Sequence, residues 1–170
     1  MTTETFRLGD VVTRLDDRLE ELADLAVENE NYQGYRKLAG EVETQLAGVM
    51  HLVDKYSEGT TIEISSLNAG EFAQVEDRIQ ARKERSQQSS VPGYRDNVMA
   101  AAGLEAAPFL DERDEDADDQ EWLTTRIATV GQLDHPGVAK WLASEVNEIT
   151  TARDTDFRSF KKRFAERSGD

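Results

Sequence analysis

The chain contains no cysteine, and that one absence removes disulfide frameworks, thiolate zinc sites and cysteine nucleophiles together. Histidine is nearly as scarce. His51 and His135 have no second histidine or cysteine at ligand spacing, so both read as ordinary surface or capping residues. No apolar run approaches the roughly eighteen residues of a membrane helix, and the opening Met1-Thr2-Thr3-Glu4-Thr5-Phe6-Arg7 lacks the charged-then-apolar build of a signal peptide. The expectation is a soluble, intracellular protein. Also missing are GxGxxG, the Walker lysine motif, GxSxG and HExxH, which leaves nucleotide-binding, serine-hydrolase and zinc-protease chemistry without support. Carboxylates are so numerous that no pair can be singled out for acid–base work. No catalytic, cofactor-binding or metal-ligating residue is assigned.

Positive charge is the other shortage. Six lysines and fourteen arginines face 35 acidic residues, for a net charge of −15. Such self-repulsion opposes compaction at ordinary ionic strength, whereas molar salt screens it to within about 3 Å. An acidic, lysine-poor surface suggests a halophilic cytoplasm; the plainer reading is an acidic protein from an ordinary host. Either way the charge argues against nonspecific binding to DNA, RNA or anionic lipid, so neither nucleic acid nor membrane is an expected partner.

What the chain has in quantity is helical periodicity. Leu8, Val12, Leu15, Leu19, Leu22, Ala26 and Asn29 step by fours and threes, the spacing of a coiled-coil seam. The stepping resumes at Tyr35, Ala39, Val42, Leu46, Val49, Val53 and Tyr56. Tyr35 follows Asn29 by six positions rather than seven, so on one straight helix the second seam would point roughly 120° away from the first. The polar stretch Glu30-Asn31-Tyr32-Gln33-Gly34 supplies a turn, which predicts two helices of roughly 33 Å each folded as an antiparallel hairpin. One long helix with a phase slip is the alternative.

After the stop signal Ser57-Glu58-Gly59, the segment Thr60 to Ser66 alternates β-branched and polar residues as a short half-buried strand does. A lone strand has open edges, so it either packs against helices or pairs with another copy or a partner. Asn68-Ala69-Gly70-Glu71 has the form of an N-cap with a reciprocal glutamate, opening a helix with Phe72, Val75 and Ile79 on its apolar face. Its distal part, Ala81 to Gln88, is polar all round, as a protruding or frayed end would be. Tyr94, Val98, Met99 and Ala102 mark a short helix ending at Gly103, and Trp122, Leu123 and Ile127 another, ending at Gly131. Leu133-Asp134-His135-Pro136-Gly137-Val138 reads as a capped helix start with Asp134 as N-cap and Leu133 stapled onto Val138. Trp141, Leu142, Val146 and Ile149 continue that helix; core packing accounts for the two tryptophans. From Asp154 an amphipathic tail places Phe157, Phe160 and Phe164 on one face among basic residues, suited to docking on the acidic loop, to an acidic partner or to folding onto the core.

The run Asp111 to Asp119 has EF-hand spacing at Asp114, Asp116 and Asp118, but Asp119 stands where the loop needs glycine and Thr125 where it needs a bidentate glutamate, so a solvated loop is expected. The fold class that follows is mainly α. An N-terminal antiparallel helical hairpin or coiled coil occupies 1–57, a small helical domain with one short strand 58–152, and an amphipathic C-terminal helix 153–170.

The order of parts resembles the tail assembly chaperones of long-tailed viruses of bacteria and archaea. The resemblance covers roughly Thr60 to Thr150: a strand running directly into a helix at Thr61 to Phe72, a middle helix with small residues and a proline at Tyr94 to Pro108, and a closing segment at Leu133 to Ile149 containing Trp141-Leu142 and Val146-Asn147. The acidic composition would then suggest a virus of haloarchaea. The resemblance implies a noncatalytic protein of the host cytoplasm that coats the tape-measure protein, a very long helical polypeptide, until tail-tube subunits displace it. It further implies self-association and, in members that use translational frameshifting, a longer form of the same chain as a partner. The tail after Thr151 lies outside the match and suits a virion component retained in the particle, which is the competing structural reading. A host protein of regulatory or enzymatic kind is the third. The apolar stripes exceed what so small a body can shield, so protein-binding surface is expected among Leu15, Leu19, Leu22, Val42, Leu46, Val49, Phe72, Trp141, Phe157, Phe160 and Phe164.

Overall fold

The two seams close on each other as a hairpin. In the computed structural model, which describes residues 1–85, 91–151 and 160–168, α1 (Leu8–Glu28) packs along α2 (Tyr32–Lys55). The chain reverses through Glu30, whose φ of 49° is left-handed; the Asn31 N–H donates to the Ala26 carbonyl at 2.9 Å and the Glu30 N–H to Val27 at 3.2 Å. This is the helix stop usually built on glycine, here built on glutamate. Asn31 then caps α2 by accepting the Gly34 N–H at 2.9 Å, so Gly34 lies inside the first turn of the second helix rather than ending the connection.

The strand expected near Thr60 is β2 (Thr61–Ser65), and its edges are covered by its own chain. β1 (Thr3–Arg7) pairs with it antiparallel from Thr3 opposite Ser65 to Arg7 opposite Thr61. β3 (Leu104–Ala106) pairs on the other side, with an irregularity between Glu63 and Ile64. The sheet order is β1-β2-β3. Sheet and hairpin are joined at a helix start that lacks a side-chain cap: the Leu8 and Gly9 N–H groups donate to Thr60 and Glu58 carbonyls, both at 2.9 Å, instead.

The helices after β2 follow the predicted order: α3 (Ala69–Arg85), α4 (Val91–Gly103), α5 (Asp119–Gly131), α6 (Pro136–Thr151) and α7 (Phe160–Arg167). The reciprocal cap at the start of α3 is present, with Asn68 accepting the Glu71 N–H at 2.8 Å and Glu71 accepting the Asn68 N–H at 3.0 Å. Val98 to Ala102 of α4 are all buried because α3, α5 and α6 pack around that helix. Arg126 of α5 secures its end, donating from Nη1 to the Ala102 and Leu104 carbonyls, both at 3.1 Å.

A continuous hydrophobic cluster runs from Leu8, Val11 and Leu15 of α1 through Val49 and Leu52 of α2 to Ile62, Ile64, Val98, Trp141 and Val146, so one core crosses position 57.

Candidate protein-binding surface

The core stops partway along the hairpin. On α1 it reaches Leu15 and on α2 its outermost packed neighbour is Val42; Leu22, although only 2% exposed, is not joined to it. From Leu19 to Ala39 the two helices shield each other, and among the described residues little else does. That arm extends roughly 20 Å beyond Leu15 at 1.5 Å per residue. It carries exposed apolar side chains at Val27, Tyr32 and Leu38.

This redistributes the residues expected to meet a partner. Leu15, Leu22, Val49 and Trp141 are buried in the chain's own interior, because hairpin closure and α6 consume the seam that sequence periodicity left open. Leu19, Val42, Leu46 and Phe72 are half-buried, and the last three pack against the core. Phe164 is exposed. Phe160 is the first residue of α7, and Phe157 lies outside the described residues.

Below the arm, α2 crosses α6 at two glycines. A Cβ built on Gly48 would overlap the Gly137 backbone, and one on Gly137 would overlap the Thr44 carbonyl oxygen. From that crossing the helices diverge, and with α4 they bound an open cleft of about 800 Å³. Gly40 lies on its α2 wall, a little over two turns before Gly48, yet among the described residues nothing stands within 4 Å of a Cβ there. Met99 and Ala143 form part of the lining, Lys37 and Lys140 stand on the α2 and α6 walls, and Arg95, Glu41 and Asp96 complete the charges. Burial raises the Asp96 carboxyl above its ordinary value against the pull of Lys140 and Arg95. A glycine inside a helix costs about 1 kcal/mol relative to alanine, and at Gly40 no contact with another described residue offsets it. Gly40→Ala is therefore expected to stabilise the isolated chain by about 0.5–1 kcal/mol, read as a rise in urea midpoint with unchanged slope.

The two histidines, distant in sequence, meet at the same crossing with ring centroids 5.7 Å apart. His135 Nδ1 accepts the Gly137 N–H at 3.0 Å, so His135 rather than Asp134 caps α6; Asp134 instead stands 3.8 Å from Lys55. Sequence spacing carried no sign of this pairing, which depends on the α2–α6 crossing. The acidic run is likewise spent locally. Asp114 accepts the Asp116 N–H at 3.1 Å, and Asp118 caps α5 reciprocally with Glu121. Among the described residues no three His, Cys, Asp or Glu side chains group as a metal site, and no helix is long and apolar enough to cross a membrane.

The one buried carboxylate, among the described residues, is Glu145. It accepts from Arg14 at 2.5 Å and from the Trp141 indole at 3.2 Å, tying α6 to α1. Burial raises its pKa, and the half-exposed Arg14 and the indole N–H offset only part of the rise. A folded-state value above the unfolded one means that the folded chain holds this proton more tightly. The stability it contributes is full below the unfolded value and is lost as pH rises through the folded one. Glu145→Gln keeps an acceptor for both donors without the charge. It should melt at or above the native temperature at pH 7, with the difference closing toward pH 4, as followed by circular dichroism at fixed salt.

Comparison with protein-family models, with curated proteins and with solved structures gives no match for this chain.

Proposed function

We propose that the chain is a noncatalytic tail assembly chaperone of a long-tailed virus, which binds the tape-measure protein and keeps it soluble in the host cytoplasm during assembly. The observation that carries this reading is the hairpin arm from Leu19 to Ala39, two helices on an acidic body that the shared core does not reach. A long helical polypeptide offers repeated apolar stripes, and a helical arm beside a helix-walled cleft covers such a stripe by helix-in-groove contacts. The charge of −15 keeps a coated partner dispersed. Many weak contacts, rather than one tight one, allow the coat to be displaced later.

Co-expression with the tape-measure protein of the same virus tests the reading. A complex that co-purifies and a gain in the partner's solubility are expected, with the chain absent from mature particles by mass spectrometry. No complex and no gain in solubility would overturn it. Recovery of the chain in stoichiometric amount from mature particles would also overturn it, in favour of a retained virion component.

A further inference from the structure

We propose that the cleft between α2, α4 and α6 is a docking groove for one helix of a partner polypeptide, seated against Gly40 with carboxylates directed at Lys37 and Lys140. The inference deepens the proposed function and rests on it for the identity of the polypeptide, not for the chemistry of the groove.

Charge selects the occupant. Acidic residues outnumber basic ones 35 to 20 in the chain, whereas the cleft lining holds three cations, Lys37, Arg95 and Lys140, beside Glu41 and Asp96, and is even once Arg95 is set against Glu76 outside it. Arg95 is already held by Glu76 at 2.7 Å. Among the described residues neither Lys37 nor Lys140 has a carboxylate within ion-pair distance. Lys140 acts on Asp96 at longer range, and the ion-pair positions of both ammonium groups, on opposite walls of the groove, are left for an incoming acidic group. The walls suit a helix as the carrier of that group. A short way along the same two helices, Gly48 and Gly137 let backbones touch, and Gly40 repeats that provision where α6 has moved away and space remains. The floor, where Met99 and Ala143 are nearly fully buried, offers an apolar strip between the charges. The groove also continues along α2 into the projecting arm, so one partner helix can lie against both.

The test uses the full chain and three variants: Gly40→Trp, which fills the cleft from a position with free space; Lys37→Glu/Lys140→Glu, which reverses its charge; and Met50→Gln, at an exposed apolar residue outside the cleft. Melting curves establish that each is folded. Two probes are titrated: the tape-measure protein, and a synthetic helical peptide with an alanine and leucine face flanked by glutamates, beside its glutamate-to-lysine counterpart. The expected result is at least a tenfold loss of affinity for the tape-measure protein in both cleft variants, none in Met50→Gln, and preference for the glutamate peptide. Undiminished tape-measure binding by both cleft variants would overturn the groove while leaving the chaperone reading intact. If the native chain fails to bind the tape-measure protein, that reading falls and the peptides decide the groove alone: preference for the glutamate form, lost in both cleft variants, supports it, and equal or absent binding ends it. A native oligomer that Gly40→Trp converts to monomer would identify a second copy as occupant and overturn the proposal.

Discussion

Gly137→Ala should cost about 3 kcal/mol of stability, lowering the melting temperature by roughly 10 °C for a chain of this length. The added methyl group would meet the Thr44 carbonyl oxygen and the Gly48 nitrogen. Both are backbone atoms inside a hydrogen-bonded helix, so neither can rotate aside as a side chain would, and α2 and α6 must separate. Separation would also pull apart the His51–His135 contact and disturb the Gly137 N–H bond that caps α6. Gly131→Ala is the internal control, since its nearest neighbour is the Asn97 amide at 3.8 Å and surface changes of that kind stay within about 0.5 kcal/mol. Gly40→Ala supplies the opposite sign on the same helix pair. Urea titrations of the three variants should rank them Gly137→Ala lowest and Gly40→Ala highest; a neutral Gly137→Ala would mean that the crossing is looser than its geometry states.

The opposite signs at Gly40 and Gly137 show where reading the chain in one dimension succeeds and where it stops. The seam residues from Leu8 to Tyr56 repeat strongly enough that helices follow from spacing, with the polar stretch Glu30 to Gly34 favouring a hairpin over one long helix with a phase slip, and the reciprocal cap at Asn68 and Glu71 is written in four consecutive residues. β1 was illegible because Thr3-Glu4-Thr5-Phe6-Arg7 has one apolar side chain, and its pairing comes from backbone groups of β2. The missing cap of α1 had the same cause, since its N–H groups are satisfied by residues fifty positions away. The expected partner surface narrows for a related reason. Periodicity identifies an apolar face without stating what covers it, and Leu15, Leu22, Val49 and Trp141 are covered from within. The cleft could not have been found by motif. Lys37, Gly40, Asp96, Met99 and Lys140 come from three helices and carry no common spacing.

Residues that orient the arm against the body control the cleft as well, and Trp141 is central among them. Trp141→Ala should cost about 4 kcal/mol, within the range for removing a buried aromatic side chain. The side chain is fully buried, meets Phe6 of β1 edge to face at 5.8 Å, and donates its indole N–H to Glu145, which in turn holds Arg14 of α1. Its removal leaves a cavity between sheet and α6 and withdraws a hydrogen bond from a buried carboxylate. Trp141→Phe retains much of the volume and loses the N–H, so a smaller cost of about 1–2 kcal/mol is expected. A double-mutant cycle with Phe6→Leu should return a coupling near 1 kcal/mol if the edge-to-face pair contributes beyond its buried area. Denaturant midpoints at fixed salt measure all three. A cost under about 1 kcal/mol for Trp141→Ala would show that the arm is held to the body by something other than α6, and would remove the structural basis for a cleft whose α2 and α6 walls are kept at a defined angle.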